Sequence, residues 1–309
     1  MNVSSIHKTN TISSLLLSLF IPAAAAATLY HTPTFSLSLS LSLSLSLSLS
    51  LSLSLSLSTN LFFIMVSADL AQTTFGIIGN VTALVLFLSP VPTFIQIVKK
   101  GTVEQFSPVP YLVTFVNCGI WVLYGLPMVH PHSLLLVTVN AAGFLIETIY
   151  VLLFLIYSNR KQRIKVQLIM LAELVFLTVL SLLALAVAHT TKVRSDIVGP
   201  IAIVGNVMMY AAPLSVMKLV ITTKSVEFMP FFLSLFSLLN GVSWTVYALI
   251  RFDSYIVIPN GLGSLLGAAQ LILYATFYKS TKRQLAERKA TNEMGLDEMG
   301  QSVGPTKGP

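Results

Sequence analysis

"LFLSPVPTFIQIVKKGTVEQFS", Leu86 to Ser107, returns later in the chain as "MYAAPLSVMKLVITTKSVEFMP", Met209 to Pro230. The two stretches align without a gap, and so do "NCGIWVLYGL" from Asn117 and "NGVSWTVYAL" from Asn240. Pro90 pairs with Pro213, Val103 and Glu104 with Val226 and Glu227, Asn117 with Asn240, Trp121 with Trp244 and Tyr124 with Tyr247, every pair 123 residues apart. One register that matches Pro, Trp, Tyr and Asn together marks an internal duplication. Past Tyr124 the register shortens, and "VTVNAAG" around Asn140 meets "IPNGLG" around Asn260 at 120 residues. The loop of the second copy is three residues shorter.

The medium in which this duplicated unit folds follows from composition. Of 309 residues, 55% are hydrophobic and 9% charged, and the mean hydropathy is +0.84. Soluble domains carry far more charge, so the chain is read as a membrane protein with the lipid bilayer as its solvent. The net charge of +7 is not arranged as a basic stripe with interleaved aromatics, so no nucleic acid is expected. The single cysteine, Cys118, excludes an intrachain disulfide and any multi-cysteine metal site.

Seven apolar runs are long enough to cross a hydrocarbon core of about 30 Å as helices. They are predicted at 75–98, 111–128, 133–157, 166–188, 196–220, 231–250 and 256–278. The first, third and fifth connections hold Lys99, Lys100, Arg160, Lys161, Arg163, Lys165 and Lys224, and the tail adds Lys279, Lys282, Arg283, Arg288 and Lys289. The other connections hold only Lys192, Arg194 and Arg251. An excess of Lys and Arg marks the cytoplasmic side, so the amino terminus is expected outside and the carboxyl terminus in the cytoplasm.

Three spans reverse the chain, so two three-span copies face the same way only with an extra span between them. The expected fold is therefore an all-α membrane protein of seven transmembrane helices, two parallel three-helix bundles joined by a linker helix in a 3+1+3 order. Its parts are a first repeat at 69–160, a linker helix at 161–192, a second repeat at 193–279 and a disordered, polar tail at 280–309. Parallel repeats related by an axis along the membrane normal are a transporter architecture with substrate bound near the midplane between the halves.

Polar residues inside spans are costly unless paired or facing a cavity, and so are candidates for the site. Asn140 and Asn260 occupy equivalent places in the third span of each copy, so a two-fold axis brings them to opposite walls of one cavity; the alternative is a bond from each amide to a neighbouring helix. Trp121 and Trp244, the only tryptophans, form a second pair, with Asn117 and Asn240 one turn earlier on the same face. Amides donate and accept, and an indole offers a flat apolar face, which suits a sugar with a hydroxyl rim and C–H ring faces. Pro90, Pro110, Pro213 and Pro230 lie in or beside spans and are candidate hinges. Glu147 and Glu173 are intramembrane acids with no counterpart in the other copy, which favours facilitated diffusion over proton coupling.

Weaker signals have structural readings. The sequon Asn80-Val81-Thr82 falls inside a span, "HPHS" at His130–Ser133 reads as a turn, and Gly263 with Gly267 reads as a close-packing pair. No nucleophile with a base, phosphate loop or metal cluster stands out, so neither an enzyme nor a cofactor is expected.

Together, "GIIGNVTALVLFLSPVPTF", "NCGIWVLYGLPMVHPHS", "IETIYVLLF", "YAAPLSVMKLVITTKSVEFMPFFLSL" and "SWTVYALIRFDSYIVIPNGLG" resemble the SWEET sugar transporters of plants, over essentially residues 66–280. The resemblance implies bidirectional uniport by alternating access. It puts the substrate asparagines at Asn140 and Asn260, the pocket tryptophan at Trp244 and the proline hinges at Pro90, Pro110, Pro213 and Pro230. It also implies an outer gate between Tyr124 and Asp253. One departure is Ala141 after Asn140, where the family often has glycine.

Sucrose-carrying members have small serines where this chain has Asn117 and Asn240, and a smaller residue near Met208 or Met209, so the resemblance points to a hexose, glucose first. A sucrose uniporter is the alternative within the class; a seven-span receptor or interaction scaffold is the alternative outside it, disfavoured by the repeat. Family members associate as homo-oligomers, so one is expected here, in the plasma membrane or alternatively the vacuolar membrane.

The SWEET-like sequence starts at "MVSADLAQTTFGIIGN" from Met65, preceded by an uninterrupted Ser-Leu alternation. Period-two alternation taken alone predicts a strand, but about 23 such residues would be several strand lengths with an open edge. A CT repeat read in triplets encodes Ser-Leu, so residues 1–64 are expected to be a low-complexity extension outside the functional protein. The apolar "SLLLSLFIPAAAAA" from Ser14 is the competing signal-segment reading.

Overall fold

Alternating leucine and serine does not fold as its period suggests. In the computed structural model, which describes residues 33–104 and 106–302, the run is helical, part of α1 (Pro33–Leu88). Leucine is a good helix former, and a serine hydroxyl can be satisfied within the helix. The hydroxyls of Ser50, Ser52, Ser54 and Ser58 donate to the carbonyls three residues back at 2.8–2.9 Å. At 100° per residue the alternation spreads leucine around the helix instead of collecting it on one face, and Leu47 to Leu57 stay exposed. The chain divides at Ser67/Ala68 into two units, and this run lies in the first. The apolar "SLLLSLFIPAAAAA" segment lies outside the described residues.

The second unit is built from helices alone among the described residues. After α1 come α2 (Val91–Lys100), α3 (Val109–Gly125), α4 (Leu134–Tyr157) and α5 (Arg160–Leu182). A π-turn at Leu183–Val187 ends α5, followed by α6 (Thr191–Met209), α7 (Ala211–Thr223), α8 (Phe231–Ile250) and α9 (Ser254–Ser302). Among the described residues six helical segments are long and apolar enough to cross a bilayer, and α3, at 17 residues, is a shorter apolar helix.

Two expected spans are broken. The first is interrupted at Ser89–Pro90, because Pro90 brings no N–H to the ladder; it becomes the N-cap of α2. The fifth is interrupted at Tyr210, three residues before Pro213. Pro110 sits in the first turn of α3 and Pro230 is the N-cap of α8. All four prolines therefore stand at helix starts, where a missing donor costs nothing. Pro200 and Pro259 lie inside helices.

Packing repeats with the sequence. α3 runs antiparallel to α4, Cys118 meeting Gly143 and Tyr111 meeting Tyr150. α8 runs antiparallel to α9, with Leu238 at Gly267 and Phe231 at Tyr274. A satellite core around Ile97 and Val103 has its twin around Val220 and Val226. α5 lies against α3 and α4, and α3 against α6. Gly267 has the backbone of Leu238 2.9 Å from where a Cβ would be, so the small-residue pair on α9 does bring two helices together.

Helix α9 continues to Ser302, through a stretch whose polar composition predicts disorder. Local pairing accompanies it: Arg283 with Glu287 along the helix, and Arg288 with Glu227 at 3.0 Å. Gln284 Nε2 also donates to the Thr223 carbonyl at 3.2 Å.

Candidate functional site: a central cavity lined by both repeats

A cavity of about 370 Å³ is lined by α1, α3 and α4 from one copy and α6, α8 and α9 from the other. Antiparallel pairing sets its levels. Counting three residues from the Cys118–Gly143 contact puts Trp121 beside Asn140, and four residues the other way puts Thr114 beside Glu147. In the second copy Gly241, the equivalent of Cys118, lies against the Asn260 carbonyl and Ser264, which puts Trp244, one turn on, near the level of Asn260. Trp121, Trp244, Asn117, Asn240, Asn140, Asn260, Pro90 and Pro110 all line the cavity. Pro213, Pro230, Tyr124 and Asp253 do not.

The asparagine pair behaves symmetrically. Asn140 Nδ2 donates to Leu136 O, and Asn260 Nδ2 donates to Ile256 O, each at 2.9 Å and each one turn back on its own helix. Neither bonds a neighbouring helix. One N–H and the carbonyl oxygen of each amide thus remain for a ligand.

The second polar pair is only half symmetric. Asn240 Oδ1 accepts from Thr82 Oγ1 at 3.2 Å. The residue equivalent to Thr82 is Gly205, which has no hydroxyl and comes close to Asn117 Oδ1 instead. Asn117 turns its Nδ2 to Asn206 Oδ1 at 2.9 Å, and the same oxygen accepts from Trp121 Nε1 at 2.9 Å. Asn206 is a functional candidate that sequence reasoning missed. Its counterpart is Ala83, so a search for symmetric pairs discards it, although the rule for intramembrane polar residues selects it.

The broken helices also meet the cavity symmetrically. Phe87, just before the break, lies over Gly143, where a Cβ would be 2.5 Å from its ring. Its equivalent Tyr210 lies over Gly263 at 2.8 Å. Tyr210 donates its hydroxyl to the carbonyl of Pro259, and Tyr150 donates to that of Phe87 at 3.0 Å.

Beyond the tryptophans, outside the lining of the cavity, lies a buried polar cluster. Tyr124, fully buried, donates to Asp253 Oδ2 at 2.9 Å. His130 Nε2 approaches the same oxygen at 3.3 Å, and its ring stacks on Tyr124 with centroids 4.9 Å apart. Asp253 Oδ1 accepts the Tyr255 backbone N–H. Further contacts, Arg251 with Asp69 and Tyr255 with Asp196, lie at this end. The "HPHS" stretch is a turn, with His132 in the left-handed region at φ 66, and the sequon residues are consumed by helix packing, Asn80 donating to Thr138 and Thr82 to Asn240.

The cavity, lined by both copies of the duplicated unit, can now be set beside what is known of similar chains. The family model "Sugar efflux transporter for intercellular exchange" matches residues 73–162 and 196–282, one stretch in each copy. The chain belongs to the SWEET family. It is 59% identical over 225 residues to "Bidirectional sugar transporter SWEET4" of Oryza sativa subsp. indica, covering 73% of this chain and 87% of that protein. It is 54% identical over 227 residues to "Bidirectional sugar transporter SWEET7" of Arabidopsis thaliana, covering 73% and 88%. The solved structure of a eukaryotic SWEET transporter superposes with a TM-score of 0.67 at 39% identity, over 69% of this chain and 99% of that one. The SWEET likeness thus spans both copies of the repeat.

Proposed function

We propose that this chain carries a hexose, glucose first, down its gradient in either direction across a membrane by alternating access, without an energy source. The observation that carries the reading is the pair Asn140 and Asn260, equivalent by the repeat, identically tied to their own helices, and lining one cavity beside Trp121 and Trp244. Amide hydrogen bonds to hydroxyls and indole contact with C–H faces are what a pyranose requires. Membership of a family whose named relatives are bidirectional sugar transporters supports the substrate class. The Asn117 and Asn240 side chains narrow the cavity where the resemblance gives sucrose carriers serine, which supports a single ring.

The remaining parts have roles in the same cycle. The bond between Tyr124 and Asp253 closes the cavity on the outer side, and the helix starts at Pro90, Pro110, Pro213 and Pro230 are where the bundles bend as it opens inward. The seven spans run 3+1+3, with the amino terminus outside and the basic connections in the cytoplasm, in the plasma membrane, and the chain assembles with its own copies. No reaction is catalysed; the work of the site is binding and release.

The test is uptake of labelled glucose and labelled sucrose, side by side, in cells without endogenous sugar uptake that express the full chain. Glucose uptake that Asn140→Ala and Asn260→Ala each abolish at equal surface expression supports the reading. Sucrose uptake alone overturns the size argument, and absence of any sugar flux returns the chain to the receptor or scaffold alternative.

A further inference from the structure

Among the described residues, Glu147 is the one acid that lines the cavity. It is buried, makes no hydrogen bond, and its Oε2 is shut off from solvent without a partner. The equivalent place in the second copy is Gly267, which lies against the backbone of Leu238, where no side chain fits. The acid is therefore a feature of one wall.

Its neighbours at this level are hydroxyls. Thr114 lies beside it across the α3–α4 contact, and Ser237, the repeat equivalent of Thr114, faces the cavity from α8; the phenol of Tyr111 lines the same end. Thr114 Oγ1 donates to Pro110 O at 2.9 Å and keeps its lone pairs, while Ser237 makes no side-chain hydrogen bond. Seven residues separate Asn140 from Glu147 on one face of α4, about 10.5 Å at about 1.5 Å per residue. That is longer than a pyranose ring is wide, so one sugar cannot be held by the asparagine level and by Glu147 together.

We propose that Glu147, Thr114 and Ser237 form a second site for sugar hydroxyls, one step nearer the Pro90 and Pro110 end than the asparagine level. A buried carboxylate without a partner is expensive, and a polyol that donates two hydroxyls to it removes that penalty while it is bound. A metal cation is the wrong guest, because it asks for several oxygen ligands and this level offers one carboxylate. The sugar leaves the asparagines, is held through its hydroxyls by Glu147, and departs past the prolines; entry from that side uses the same steps in reverse. This inference rests on the sugar-transport reading above.

The experiment uses the purified full chain in liposomes and measures KM and Vmax for glucose and for its 2-, 3-, 4- and 6-deoxy analogues. Glu147→Leu is expected to raise the KM for glucose about tenfold, the loss of a hydrogen bond to a charged group. Glu147→Gln, which still accepts and donates, stays within about threefold. The decisive readout is selectivity: the handicap of one deoxy analogue relative to glucose, present in the unmodified protein, disappears in Glu147→Leu, because the missing hydroxyl has lost its acceptor. Thr114→Val and Ser237→Ala show the same loss of discrimination more weakly, and serve if Glu147→Leu does not fold. Unchanged deoxy-sugar discrimination in every variant, with Asn140→Ala still inactive, overturns this second site and leaves the transport reading intact. Damage by Glu147→Gln equal to that by Glu147→Leu, with glucose and every deoxy analogue impaired alike, overturns it too, since the residue would then receive no particular sugar hydroxyl. No glucose flux in the unmodified protein overturns both.

Discussion

At the scale of single residues the cavity is nearly two-fold symmetric, and the exceptions are informative. Asn206 exists in one copy only and takes two donors, Asn117 Nδ2 and Trp121 Nε1, on one oxygen. Replacing it removes the acceptor of two part-buried donors, at a cost of about 1–3 kcal/mol for each one left unsatisfied. Asn206→Ala is expected to lower the melting temperature in detergent and to cut glucose uptake at least tenfold (on the order of 1.4 kcal/mol per factor of ten), because Trp121 is no longer held in its orientation. An unchanged melting curve would show that Asn206 bears no such load. Sequence alone made Asn140, Asn260, Trp121 and Trp244 conspicuous because each pair repeats. It hid Asn206 for the same reason, and it could not tell that Glu147 lines the cavity while Glu173 does not. Which face of a helix meets a cavity depends on its rotation about its own axis, and uniformly apolar spans carry little periodicity to fix that rotation.

At the scale of elements, the broken helices are wedged against glycines. Phe87 over Gly143 and Tyr210 over Gly263 hold the kinked spans against α4 and α9. A methyl at Gly143 would lie 2.5 Å from the Phe87 ring and 2.9 Å from Cys118 Sγ, an overpacking that costs about 1–3 kcal/mol. Gly143→Ala is accordingly predicted to lower thermal stability and transport together, and Phe87→Leu in the same chain to restore part of both, a coupling that a double-mutant cycle measures. Additive losses would mean that the two residues do not share a contact. The prolines announced the interruptions in the sequence, but not which aromatic fills each bend, since that depends on the register between helices far apart in the chain. The Ser-Leu run erred in the other direction: its period implies a strand, while its hydroxyls are satisfied three residues back along a helix.

For the molecule as a whole, Tyr124 and Asp253 are bonded to each other outside the lining of the cavity, while Pro90 and Pro110 line it. A hydrogen bond to a carboxylate contributes about 1.5–3 kcal/mol to the closed arrangement and nothing once the halves part there, so its removal shifts the balance of states about tenfold or more. Tyr124→Phe is therefore expected to expose the cavity from that side. With Cys118→Ala to remove the native thiol and Ser237→Cys as a reporter, an impermeant thiol reagent applied outside intact cells should label Tyr124→Phe about ten times faster than the chain with Tyr124, the rate equivalent of that shift. Equal rates would contradict the gate. The duplication, legible in the first two stretches compared, already implied two bundles and one shared cavity; the bond between Tyr124 and Asp253 was not legible in the residues themselves and was expected only from the resemblance, because the two belong to different copies and meet only in the folded chain.

The central claim is exchange of a hexose through one cavity without an energy source, and counterflow tests it most directly. Liposomes containing the full chain are loaded with unlabelled glucose and diluted into a trace of labelled glucose, with a protonophore present. The account predicts transient accumulation of label inside, unaffected by the protonophore and absent from Asn140→Ala and Asn260→Ala. Accumulation that requires a proton gradient, or none at all from protein that melts cooperatively, would contradict it.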